Sequence, residues 1–199
     1  MEEKIIDQIK IQMEGEEISP NSSQSRDWFF DKIKEIADMD VDRNRLKSQL
    51  PVSANQFNGM MYMFWYMPKH KMTLPYYDRF PLVIMLEHYK GGFLGLNLHY
   101  LPIDLRQKLF YGLLPRATQR DFTHRTRLKI DYNYLQGKTF LRAYKPCVKR
   151  YLTKHIIGKI AHVPAPEWEI ATHLPTASWR KATETKVHKD SRIIARKTT

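Results

Sequence analysis

Cysteine is nearly absent: Cys147 is the single one in 199 residues. That excludes an intramolecular disulfide and any cysteine-based zinc cluster. Long apolar runs are also missing. None approaches the ~18 residues a membrane-spanning helix needs, so no membrane partner is expected. The first ten residues, MEEKIIDQIK, are acidic and mixed, unlike a secretory signal, and the expectation is a soluble protein made in a cytoplasm. Carboxylates are scarce past residue 50, only 9 of them. A two-metal nuclease needs several converging carboxylates, so that class is disfavoured. Glu167 and Glu169 upstream of Lys181 form too thin a nuclease pattern to adopt. There is no GxSxG, no P-loop and no HExxH, and the eight histidines show no paired metal spacing. The Asp38/Asp40/Asp42 spacing lacks the glycine and glutamate of a calcium loop, since Arg43 and Gln49 stand there. The sequence therefore predicts no catalytic residues, no metal and no cofactor.

What is present is positive charge, unevenly placed. Residues 1–50 carry 8 Lys+Arg against 12 Asp+Glu, while residues 51–199 carry 25 against 9. A cationic surface of this kind attracts polyanions within about a Debye length. Nucleic acid and acidic protein are the two candidate partners, and a solvated face is the bland alternative.

The length fits one domain that can bury a real core. Residues 1–24 read as an acidic N-terminal arm, 25–175 as a single core, and 176–199 as a basic C-terminal tail. Both ends are expected to be ordered only by neighbours in an assembly. A helix is predicted from Ser25 as N-cap, with Phe29, Ile33 and Ile36 on one face. Met60–Met67 suits a strand buried on both faces. Leu82–Tyr89 and Phe93–Leu101 flank Lys90-Gly91-Gly92, the signature of a β-hairpin with Gly91 and Gly92 as structural turn residues. The corner Tyr76-Tyr77-Asp78-Arg79, bounded by Pro75 and Pro81, reads as a fixed turn in which Asp78 and Arg79 satisfy backbone groups. His88 and His99 are expected to meet across the hairpin. Ile103–Leu114 has helical spacing. Arg125–Leu135 alternates like a strand, with Thr139–Tyr144 a pairing candidate, and Glu167–Leu174 reads as the last strand. The prediction is an α+β fold: a small antiparallel sheet or partly open barrel with two to three flanking helices and extended terminal arms.

The strongest physical lead is a predicted basic helix after Pro146, with Val148, Leu152, Ile156 and Ile160 on one side. Residues 138–159 hold Lys138, Arg142, Lys145, Lys149, Arg150, Lys154 and Lys159 and no acid. Such residues gain sequence-independent affinity by releasing counterions from phosphates. Tyr144 and Tyr151 are interleaved, as for stacking on an exposed base, or else pack beneath the helix.

Several motifs in order carry a family resemblance: TLPYYDRFPLVIMLE (Thr73–Glu87), GGFLGLNLHYLP (Gly91–Pro102), YKPCVKRYL (Tyr144–Leu152), EWEIATHLPTASW (Glu167–Trp179) and KVHKDSR (Lys186–Arg192). Over roughly residues 26–195 the chain resembles the DNA end protector proteins of T-even-like and marine myophages. The resemblance implies a non-enzymatic minor virion protein on the end of packaged linear duplex DNA. It would shield that end from exonuclease and assist head completion or head-tail joining. Other neck, tail or portal-region proteins would be its partners, in a symmetric assembly. The alternative is a purely structural neck, tail or baseplate component whose cations meet acidic phage proteins; a phage nuclease is a third class.

Overall fold

A computed structural model describes residues 4–137 and 144–197. Four helices open the chain: α1 (Ile5–Gly15), α2 (Ser23–Asp31), α3 (Ile33–Ala37) and α4 (Arg43–Gln49). Strands β1 (Met61–Tyr66), β2 (Tyr77–Asp78), β3 (Leu82–Tyr89) and β4 (Gly92–Asn97) follow, then helices α5 (Ile103–Leu113) and α6 (Tyr132–Gly137). The chain continues through β5 (Val148–Leu152), β6 (Ile156–Val163), helix α7 (Trp168–His173), β7 (Trp179–Arg180) and helix α8 (Glu184–Lys197). The fold is α+β, as the sequence predicts. Five strands form an antiparallel sheet in the order β5-β4-β3-β1-β6, and β2 pairs with β7.

The sheet is open but strongly curled. β5 and β6 lie at opposite edges, yet only the 3-10 turn Thr153–His155 joins them. On the inner face Tyr151 of β5 touches two rings of β1, Phe64 at 5.2 Å and Tyr66 at 5.0 Å. In a flat sheet those strands would lie ~14 Å apart, three inter-strand spacings. The Tyr66 hydroxyl also accepts from the Leu152 amide at 3.1 Å. Tyr62, Phe64, Tyr66, Val83, Met85 and Phe93 thus fill a concave core. Their T-shaped pairs add roughly 0.5–1.5 kcal/mol each beyond area burial.

Alternate residues of β1, Met61 and Met63, face the second and larger core under the helices. This strand is buried on both faces, which explains its unbroken apolar sequence. The β3–β4 turn is made by Lys90 and Gly91, since Tyr89 already pairs with Gly92. Gly91 has φ +84°, a conformation that disfavours a β-carbon. Gly92 serves a different purpose: a β-carbon there would overlap the Tyr151 carbonyl oxygen of the neighbouring strand.

Several expectations are corrected. Glu167–Leu174 is not a strand but the helix α7. Its six residues are all buried, so no polar face marks a helical period. Arg125–Leu135 divides into an irregular segment, whose Leu128 forms an isolated bridge with Ala117, and the helix α6. Asp131 accepts from the Tyr134 amide at 2.6 Å and so starts α6. The Thr139–Tyr144 pairing lies outside the described residues except for Tyr144, which sits in a 3-10 turn. Ser22, not Ser25, caps α2, with Ser25 completing a capping box. The basic stretch 148–163 is two strands, not a helix. There are eight helices among the described residues where two to three were expected, and the terminal segments are not extended. Ile5, Ile6, Ile9 and Met13 of α1 lie in the main core, as does Val187 of α8. α1 is tied down by Lys10, whose ammonium lies 3.1 Å from Glu167.

Candidate nucleic-acid interface

Val148, Leu152, Ile156 and Ile160 are spaced by four, and four residues return to the same face of either a helix or a strand. The strand reading wins through local content: Ile156, Ile157 and Ile160 are β-branched and Gly158 takes φ +72°. As a consequence the five described residues among the seven basic ones singled out from the sequence do not share a face. Lys138 and Arg142 lie outside the described residues. Lys145 is exposed ahead of β5. Lys149 and Arg150 are neighbours in a strand and point to opposite sides. The Lys149 ammonium sits 3.9 Å from the Tyr100 ring centre, and burial lowers its pKa. Arg150 is exposed, 5.4 Å from the Tyr89 ring centre. Lys154 and Lys159 are exposed, one on the connector and one on β6. Tyr144 and Tyr151 are buried, so neither offers a stacking platform.

What the fold does bring together is a groove along the outer edge of β6. The Val52 backbone bridges to Ala161, the Ser53 amide donates to the Ile160 carbonyl at 2.9 Å, and the His162 amide to the Pro51 carbonyl at 2.8 Å. This lays residues 51–53 beside the strand. One recess of about 280 Å³ runs between Lys47, Trp65 and Lys159. A second, of about 460 Å³, runs between Ser53, Thr153 and Gly158. Val52, Lys159 and Ile160 line both, so the two adjoin along the strand edge. The Trp65 indole N–H donates to Asn44 Oδ1 at 2.9 Å, fixing α4 against the strand. No carboxylate lines either recess. Lys47 is half-buried, and burial lowers its pKa. Sequence reasoning missed Lys47 because it sits in a stretch of mixed charge; only the docking of α4 separates it from its acidic neighbours.

A second cationic surface was also missed. In the segment before α6, Thr126, Leu128 and Ile130 turn inward while Arg125, Arg127 and Lys129 are exposed. The row is anchored by the Leu128 amide on the Gly59 carbonyl at 2.8 Å. Gly59, at φ +77°, is needed there, since a β-carbon would overlap the Leu128 carbonyl. The signal was legible: the alternation assigned to a strand is real and separates cations from apolar groups.

Several titratable groups elsewhere are held in contacts within the fold. His88 and His99 do not meet; His88 Nε2 lies 2.9 Å from the Gln56 carbonyl. His99 instead bridges Asp78 Oδ2 at 2.7 Å and Thr176 Oγ1 at 3.0 Å. Asp-His-Thr in that order has the connectivity of a nucleophile relay. All three side chains are sealed from solvent, so no substrate can reach Thr176. Asp78 also accepts from the amides of Phe80 and Ser178, both at 3.0 Å, which makes the corner a backbone-satisfying turn. Burial pushes the Asp78 carboxyl up, but His99 and those amides outweigh it and hold it below the usual range. Glu169 lies buried, accepting from the Asn21 amide at 2.6 Å, from Ser25 Oγ at 2.6 Å and from the Tyr111 hydroxyl. It therefore cannot pair with Glu167 around a metal. Burial pushes the Cys147 thiol up to about 12, which leaves it without nucleophilic thiolate. Among the described residues no group of three or more His, Cys, Asp or Glu could hold a metal ion, and no helix is long and apolar enough to cross a membrane.

Comparison with known proteins gives one match that spans nearly the whole chain. The family described as Phage T4 terminal DNA protecting protein matches residues 3–195. No curated protein and no solved structure matches the chain.

Proposed function

The chain belongs to the phage terminal DNA protecting family, and we propose that it is a virion component that binds the end of linear duplex DNA and shields it by occupancy rather than by catalysis. The observation that supports this is the distribution of charge. Residues 51–199 carry 25 Lys+Arg against 9 Asp+Glu, and the exposed cations lie in rows and along a groove with no carboxylate in its lining. Phosphate contacts of this kind give affinity without sequence preference. Of the residues singled out from the sequence, Lys145, Arg150, Lys154 and Lys159 remain exposed candidates. Lys47, Arg125, Arg127 and Lys129 join them.

The test is protection of a linear duplex from a processive exonuclease, with affinity measured as a function of salt. Protection should be stoichiometric in protein per end. The affinity should fall with a log–log slope of roughly −0.9 per phosphate contacted. Binding that ignores salt, or an end degraded at the same rate with and without protein, would refute the reading.

A second surface supports a role in head completion or head-tail joining, by contact with neck, tail or portal-region proteins in a symmetric assembly. Ile193 of α8 is 42% exposed beside Lys189 and Arg192, around a recess lined also by Pro102 and His188. An apolar side chain ringed by cations suits an acidic protein partner. Charge reversal at Lys189 and Arg192 should block assembly of particles while sparing DNA binding.

A further inference from the structure

Phosphate contacts alone cannot tell the end of a duplex from its interior, because the backbone is the same at both. An end offers one thing the interior hides: the flat apolar face of the terminal base pair. A site selective for ends therefore needs an apolar surface next to cations, and the β6-edge groove has that composition. Val52 of the lining is 59% exposed, and Ile157, 46% exposed, adjoins the groove through its strand partner Trp65, a half-buried lining residue. Lys47 and Lys159 line the same groove, and Lys154 sits on the connector beside it. No carboxylate lines the groove to neutralise them. The other cationic surface, the Arg125–Lys129 row, has its apolar residues turned inward and lacks this combination.

We propose that the groove between residues 44–56 and the outer edge of β6 caps the terminal base pair of duplex DNA. Val52, Ile157 and the Trp65 edge would meet the base-pair face, and Lys47, Lys154 and Lys159 the last phosphates. The inference rests on the DNA-binding reading above and adds where and how the end is told from the interior. Such a contact explains protection directly, since a covered terminal pair is the one an exonuclease must grip.

The experiment compares two probes of equal length and sequence. One is a blunt duplex with open ends; the other is the same duplex closed at both ends by hairpin loops. The full chain should prefer the open duplex by about tenfold, the scale of one stacked base. In V52S/I157S, which removes the apolar surface at both exposed positions without adding charge, that preference should vanish, the open duplex falling to the affinity of the closed one. An open-end preference that survives in the variant, or a wild type that binds both probes equally, overturns the cap. A wild type that binds neither probe instead defeats the DNA-binding reading itself. Should the variant lose its thermal transition, the wild-type protein with a fluorescent base analogue decides the matter. The signal should change with the analogue at the terminal pair and not with it in mid-duplex; the reverse, or no change at either position, overturns the proposal.

Discussion

Asp78 and His99 meet at 2.7 Å in the interior, one from the proline-bounded corner and one from the turn after β4. Neither side chain reaches solvent. Asn97 Nδ2 adds to the two backbone amides a fourth contact to the carboxylate at 3.2 Å, and Thr176 on the far side of His99 brings in the chain leading to β7. The pair is thus a knot joining three segments distant in sequence.

That knot makes stability sensitive to acid. The folded Asp78 carboxyl has a lower pKa than its ordinary 3.8, so its contribution is complete above that value and is lost as pH falls through the folded one. Thermal midpoints measured from pH 7 down to pH 2 should therefore drop more steeply for the native chain than for D78N. At neutral pH D78N should cost roughly 3–5 kcal/mol, the penalty for breaking a buried pair. Parallel pH profiles would show that Asp78 does not carry the linkage.

Gly91 of the turn and Gly92 of β4 should respond differently to alanine. Gly91→Ala asks a β-carbon to adopt φ +84° in open space and should cost about 1–2 kcal/mol. Gly92→Ala must also push the β5 backbone away from β4, so its denaturation midpoint should fall further. Equal losses would mean that the close approach to Tyr151 is not a constraint.

Neighbouring lysines should separate into structural and functional groups. Lys149→Glu places an acid against the Tyr100 ring in a buried setting and should lower the thermal midpoint by several degrees. Lys154→Glu together with Lys159→Glu should change stability by no more than about 0.5 kcal/mol. The same pair should reduce the salt slope of DNA binding by about two phosphates' worth. A stable K149E protein, or an unstable double variant, would contradict this division.

α1 should behave as part of the folded monomer. Ile9 is buried to 2% exposure, and Ile9→Ala should cost about 2–5 kcal/mol, as a core deletion does. Limited proteolysis of the isolated protein should leave α1 attached. Rapid trimming of residues 1–17 without a change in thermal midpoint would show that the helix contributes nothing to the monomer.

The β1–β3–β4 meander was legible in the sequence because its signals are local: an apolar run, proline corners and a glycine turn. α5 was legible from its spacing. The elements misread have two causes, the first being that periodicity reports a face only when a face is exposed. α7 has no exposed face. Second, the cations of residues 145–159 followed a spacing that fits helix and strand alike, so their mutual placement could not be read. Lys47 joins the groove only because α4 packs beside Trp65, a contact set by tertiary structure. His99 was singled out for the wrong neighbour, since its true partners are 21 and 77 residues away.

The short connector Thr153–His155 has a mechanical consequence. Four residue steps from Leu152 to Ile156 span at most ~14 Å when fully extended. The two edge strands cannot separate further than that without one of them leaving the sheet. The connector works as a drawstring: its length limits how far the sheet can flatten. Adding residues there should loosen the curl and disturb the aromatic interior, with no change to any packed side chain. A surface held in shape by its own tether surrenders little freedom when something settles on it, which suits a protein that must stay seated on its target.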